Sequence, residues 1–169
     1  MKKKTLTSLL LLVALIAIVA CGNSSDSADE RTLPYVDANQ DGDIDWSLFP
    51  IIIDGHRGVA ANWHTAEGED FPTHVPLLPV AAALGVTVDI AESFPPEVTM
   101  NGLLGSINFT VGTYYFSVDG NLVELWQPSL LIDGEIYVPI PFFRDVYGMG
   151  RAAWMSGHVH LDMEPDDMH

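Results

Sequence analysis

Cysteine is almost missing from this chain: 169 residues hold one, Cys21. A lone cysteine excludes an intramolecular disulfide. Positive charge is nearly as scarce. Seven Lys and Arg stand against 23 Asp and Glu, a formal net charge of -16. Lys2, Lys3 and Lys4 sit at the extreme N-terminus, and without them the charge is -19, with Arg31, Arg57, Arg144 and Arg151 as the remaining cations. Such a surface repels nucleic acid and anionic lipid head groups and favours cations and basic partners. Catalytic signatures are missing too. There is no Gly-x-Ser-x-Gly elbow, no phosphate-cradling Gly-rich loop and no His-Glu-x-x-His. The carboxylates are abundant, but in so acidic a chain any two read first as a solvated face. The expectation is a protein that is not an enzyme.

The one long hydrophobic run is Leu6–Ala20, behind the three lysines. It is short for a spanning helix and has the layout of an export signal, a charged start followed by an apolar stretch. It runs through Ile18-Val19-Ala20 into Cys21, a junction that resembles a bacterial lipobox. The resemblance implies cleavage before Cys21 and a lipid, readable as palmitate label, on its sulfur. Two or more acyl chains on one terminus anchor stably, where a single chain is marginal. The expected order is a lipoprotein signal peptide over 1–20, a flexible linker over 21–34, an acidic loop over 35–49, a folded domain over 50–162 and an acidic tail over 163–169. The expected location is outside the cytoplasm, on the bacterial cell membrane. The linker, GNSSDSADERTLP, is too polar to bury a core and reads as a tether.

The acidic loop spaces Asp37, Asn39, Asp41, Gly42, Asp43 and Asp45 as in an EF-hand, with oxygens at positions one, three, five and nine and glycine at six. Position twelve, where a bidentate carboxylate belongs, is Leu48. Two readings stand side by side: a weak Ca²⁺ site, filled at millimolar ion, and a solvated turn leading into Trp46 and Phe49, which pack on the domain. Ca²⁺ is the one cofactor the loop suggests. Two histidines two apart, His158 and His160, share one face of a strand and could supply two copper ligands. A metal site needs a third or fourth, and nothing in the sequence brings His56, His64, His74 or His169 to them. The plainer reading is two surface histidines on an edge strand. Trp46, Trp63, Trp126 and Trp154, with Tyr114, Tyr115 and Tyr137, are either core or a glycan-stacking surface.

The folded part reads as α+β, a β-rich single domain of antiparallel hairpins with two short helices. Leu130–Ile132, Asp133-Gly134 and Tyr137-Val138 form a hairpin signal, since both turn positions favour positive φ. Pro139 and Pro141 then open a short helix that buries Phe142, Phe143, Val146 and Tyr147 and stops at Gly148. Ala152–Trp154 and His158–Leu161 follow as strands around Ser156-Gly157. The earlier part repeats this plan. Ile51–Gly55, IIIDG, matches LIDG at 131–134, and His74–Gly85, HVPLLPVAAALG, matches Tyr137–Gly148, YVPIPFFRDVYG. The domain is thus built from two similar β-hairpin–helix–strand units. In the first, Val59–His64 is the expected partner of Ile51–Ile53, 66–73 is an exposed insertion, and Val86, Val88 and Ile90 alternate as a strand. Between the units, Ile107–Val111, Tyr114–Val118 and Leu122–Leu125 read as an antiparallel meander joining both units in one sheet system.

The doubled pattern of IDG, YVP, paired aromatics and a closing glycine resembles the copper amine oxidase N-terminal domain-like family, small secreted or surface modules of bacteria also called stalk domains. The resemblance spans roughly residues 51–162. The family's VPLR-x-x-x-E-x-LG core is altered here: its Arg position holds Leu78 in one copy and is displaced by Pro141 in the other, and its Glu position holds Ala82 and Asp145. A core aromatic is usual at the position of Trp154. In copper amine oxidases the copper and the topaquinone lie in a separate catalytic domain. This chain has no Asn-Tyr pair that could mature into the quinone. The resemblance implies a non-catalytic module that scaffolds or binds at the cell envelope, through wall polymer or another surface protein.

Overall fold

A computed structural model describes residues 35–38 and 44–164. Cys21 and the expected signal peptide and linker lie outside these residues, as do Asn39, Asp41, Asp43 and the end of the tail at 165–169. The described part is α+β and β-rich, with 13 strands in three sheets. No helix in it is long and apolar enough to cross a membrane.

The first sheet holds β1 (Tyr35–Asp37), β2 (Ile51–Ile53), β3 (Arg57–Val59), β12 (Arg151–Met155) and β13 (His158–Asp162), in the order β1-β3-β2-β13-β12. Its central strand β2 is buried at all three positions, which is why it reads as a continuous Ile-Ile-Ile run rather than an alternation. The sheet also contains the one parallel pairing among the described strands, β13 against β2, with His160 beside Ile52. β3 begins at Arg57, earlier than the expected Val59–His64, because Asp54, Gly55 and His56 close a three-residue turn that sets Ile53 opposite Arg57.

The second sheet is small: β10 (Leu130–Ile132), β11 (Glu135–Pro139) and β4 (His74–Pro76), in that order. A lone bridge from His64 extends it past β4. The third is a meander in chain order, β5 (Val88–Ile90), β6 (Glu97–Gly102), β7 (Gly105–Thr110), β8 (Tyr115–Val118) and β9 (Asn121–Glu124). The meander therefore takes in β5, the end of the first unit, and no strand of the second; the two units meet instead in the other two sheets, through β4 beside β11 and β2 beside β13. β6 is a strand that the turn signals around it concealed.

Each unit reaches its helix directly from a strand of the small sheet. β4 runs into α1 (Leu77–Leu84), capped by left-handed Gly85 at φ 72°. β11 runs into a π-helical turn, Phe143–Tyr147, capped by Gly148 at φ 104°. Phe142, Phe143, Val146 and Tyr147 are all buried. A run of ring contacts carries the core from the meander into this turn. Centroids lie 5.0 Å apart for Phe109 and Phe116, 5.3 Å for Phe116 and Phe142, and 5.3 Å for Phe142 and Phe143. Such tilted and edge-on pairs add about 0.5–1.5 kcal/mol each beyond their buried area.

The Asp-Gly turns behave as their chemistry requires. Asp133 and Gly134 have φ of 51° and 84°, and Asp119 and Gly120 have 48° and 82°. These two-residue loops match the twist of the strands they join. Asp54-Gly55 and Asp133-Gly134 share positive φ, but the first opens a three-residue turn and the second is a two-residue loop, and they sit in different sheets. The second unit's hairpin lies in the small sheet beside β4, whereas β2–β3 lies in the first sheet.

Candidate binding site at the aromatic end of the meander

The three β-connections at one end of the meander, 91–96, 111–114 and 125–129, are tied together by backbone bonds. Val111 N–H donates to the Pro96 carbonyl, Leu125 N–H to Tyr114, Ser129 N–H to Thr113 and Gly112 N–H to Ser129. Two buried polar residues hold this end to the rest of the domain. Ser129 is fully buried, and its Oγ accepts a second bond from Gly112 N–H at 3.1 Å. His74, 1 % exposed on β4, reaches the Pro128 carbonyl with Nε2 at 2.9 Å and the Thr73 hydroxyl with Nδ1 at 2.8 Å. A carbonyl can only accept, so Nε2 carries the proton and Nδ1 accepts from Thr73. Burial pushes the His74 imidazole below its ordinary pKa; neighbouring His64, its ring 5.8 Å away, pushes the same way, and the Pro128 bond opposes both.

On this scaffold stand exposed aromatic side chains. Phe94 is 91 % exposed, Trp126 59 %, Tyr115 47 % and Tyr114 46 %. Strand alternation buries Phe116 and turns Tyr115 to the solvent face of the sheet. Glu97, Thr99 and Asn108 share that face, with Thr99 opposite Asn108 and Glu97 opposite Thr110. Between β6 and β7 lies an open cleft of about 230 Å³ lined by Glu97, Val98, Thr99, Asn108, Phe109 and Thr110. The Thr99 hydroxyl donates to Asn108 Oδ1 at 2.9 Å, which leaves the Asn108 amide hydrogens for another acceptor. The Glu97 carboxylate makes no ion pair or hydrogen bond among the described residues. Chain residues 86–129 contain five carboxylates, Asp89, Glu92, Glu97, Asp119 and Glu124, and no Lys, Arg or His. The cleft can donate and accept hydrogen bonds and attract positive charge, and Tyr115 stands on the same solvent face of the sheet. Its charge disfavours an anion.

The sequence pointed elsewhere for its sites. Asp37 ends edge strand β1 opposite Arg57, and Asp45 caps the 3₁₀ turn Trp46–Leu48 by accepting from Ser47 N–H at 3.1 Å and Ser47 Oγ at 2.6 Å. Those bonds hold the Asp45 carboxyl below its usual pKa. The other three expected Ca²⁺ ligands, Asn39, Asp41 and Asp43, lie outside the described residues. The turn does pack on the domain, since Phe49 lies directly against Gly58.

His158 and His160 share a face as expected, with ring centroids 6.2 Å apart. β13 is an inner strand between β2 and β12, not an edge. His158 Nδ1 is 3.1 Å from the Ser156 carbonyl, and burial lowers the His160 pKa. No group of three or more His, Cys, Asp or Glu that could hold a metal converges among the described residues, and His169 lies outside them. Trp154 is 43 % exposed on edge strand β12, not in the core. At the family's altered Glu position, Asp145 pairs with its own neighbour Arg144 at 2.7 Å on the surface. The aromatic end itself went unplaced by the sequence. The absence of any cation across 86–129 was the signal available there.

No curated protein and no solved structure matches the chain. The family model of the copper amine oxidase N-terminal domain matches residues 66–155, from the loop before β4 to the end of β12. In copper amine oxidases that N-terminal domain is a non-catalytic module. With more than half of its residues inside the match, this chain belongs to the copper amine oxidase N-terminal domain family.

Proposed function

We propose that the protein is a lipid-anchored, extracytoplasmic, non-catalytic module that binds at the bacterial cell envelope. The observation that carries this reading is the leader. A triple-lysine start and an apolar stretch run through Ile18-Val19-Ala20 into the only cysteine of the chain. Acylation of Cys21 places the polar stretch 21–34 as a tether between membrane and domain. The partner is wall polymer or another surface protein. The aromatic end supports the binding half of the reading, because exposed Trp and Tyr on a rigid sheet end gain most when another surface covers them.

Metabolic labelling with palmitate tests the anchor. Label is expected on the wild type and not on Cys21→Ala; an unlabelled wild type ends the reading. Co-sedimentation of the full chain with purified peptidoglycan tests the partner, and a clean negative removes wall polymer.

A further inference from the structure

We propose that the cleft between β6 and β7 is a glycan-binding site whose ligand is an amino-sugar polymer with free amines, seated on Tyr115 and drawn in by Glu97. This rests on the envelope-binding reading and names the ligand chemistry of its binding face.

Four observations combine. Strand register is the first. Thr99 sits opposite Asn108 and Glu97 opposite Thr110, and Asn108 sits opposite Ser117 on β8. Past that pair Phe109 and Phe116 stay in ring contact on the buried side, 5.0 Å between centroids, and alternation turns Thr110 and Tyr115 to the opposite, solvent face. A hydroxyl, an amide, a carboxylate and an aromatic ring thus share one flat face. A pyranose offers equatorial hydroxyls along its rim and an apolar C–H face, and that arrangement suits both. The C–H face lies on the electron-rich ring of Tyr115, while the rim reaches Asn108 and Thr110. Size is the second observation. About 230 Å³ accepts one sugar ring, and the cleft is open, so a polymer can run past it.

Charge is the third. With five carboxylates and no cation over 86–129, phosphate-bearing wall polymers and nucleic acids are repelled. Glu97 faces the cleft without a counter-ion among the described residues, and an ammonium group on the sugar supplies one. The fourth is the poverty of the cleft's exposed lining in aliphatic groups. Glu97, Thr99 and Asn108 are exposed, while Val98 and Phe109 are buried in the core. A protein partner needs a desolvated apolar anchor point, whereas a hydrated polymer does not.

Calorimetric titration of the full chain in detergent, at mildly acidic pH, tests the assignment with three probes: a β-1,4-linked glucosamine pentamer, its fully N-acetylated counterpart and an oligolysine. Both sugars are expected to bind, the free-amine form about three- to fivefold more tightly, as one exposed ion pair allows. Tyr115→Ala should weaken both sugars about tenfold, the cost of a stacking residue at the centre of a site. Tyr115→Phe should bind like wild type. Glu97→Gln should erase the preference for the free amine and leave the acetylated pentamer unchanged. Near-UV circular dichroism confirms that each variant is folded; both side chains are exposed, so neither change touches the core.

Failure of both sugars to bind overturns the proposal, as do equal wild-type affinities for the two pentamers or an unchanged Tyr115→Ala. Binding of oligolysine alone overturns it in favour of a basic protein. If palmitate label and peptidoglycan co-sedimentation persist while the pentamers fail, the ligand assignment falls alone. If the label is missing while the pentamers bind, the anchor falls and the site stands.

Discussion

Val75 and Val138 face one another directly across the antiparallel pair of β4 and β11, and they are also the equivalent residues of the two sequence repeats. Pairing of a residue with its own counterpart places a local two-fold axis between them, as in an isologous subunit interface. Both are fully buried. The neighbours obey the same relation: His74 pairs with Pro139, and Pro76 with Tyr137. Past the axis each copy sends a helix and a hairpin into a different five-stranded sheet, β5–β6 to the meander and β12–β13 to the first sheet.

The axis predicts equal costs at equivalent positions. Val75→Ala and Val138→Ala should each lower the unfolding free energy by about 2 kcal/mol. Because the two side chains touch a shared space, the double variant should depart from additivity by about 0.5 kcal/mol or more. Urea denaturation midpoints measure all three.

His74 predicts a pH dependence with a definite sign. Its folded pKa lies below the unfolded value because burial disfavours the imidazolium. Between those two values the unfolded chain binds a proton that the folded one does not. Stability is therefore full above about pH 6.5 and declines as pH falls below it, levelling off once the folded form also protonates. Urea midpoints across that range should show the decline, and His74→Gln should reduce its slope. Since His74 holds the Pro128 carbonyl, that variant should also shift the emission of nearby Trp126.

Gly58 predicts a steric effect. A Cβ built there would stand 2.4 Å from the Phe49 ring. Gly58→Ala must push Phe49 off β3, and with it the 3₁₀ turn that Asp45 caps. Overpacking of this kind costs about 1–3 kcal/mol. A double variant, Gly58→Ala with Phe49→Ala, should recover part of the overpacking loss, as read by thermal melting.

Arg151 and Asp162 are register partners on β12 and β13, and Arg151 Nε donates to Asp162 Oδ2 at 2.8 Å. The pair is largely covered, with side chains 24 % and 16 % exposed. Asp162→Asn should cost about 1 kcal/mol, and the difference from wild type should shrink as salt rises. Denaturation at low and high ionic strength checks both statements.

Much of the local structure was legible in the residues. Asp133-Gly134 and Asp119-Gly120 announced hairpins because few dipeptides accept two positive φ values. Proline before and glycine after an apolar stretch marked both helical segments. β6 escaped notice although Val98 and Met100 alternate with exposed residues, because Pro95-Pro96 immediately before it read as a break. Trp154 stands where the family usually has a core aromatic and is half-exposed here, since β12 is a sheet edge.

Composition and order alone determined the lone cysteine behind an apolar run, the duplicated strand–helix plan and the large excess of negative charge. These are properties of residues within a few positions of one another, or of the whole charge count, so no folding is needed to see them. Tertiary structure decided which strands meet: Val75 against Val138, β13 parallel to β2, and Glu97, Asn108 and Tyr115 on one face at one end. Pairing between distant segments follows from how many apolar faces can be buried at once, and no local pattern encodes that choice.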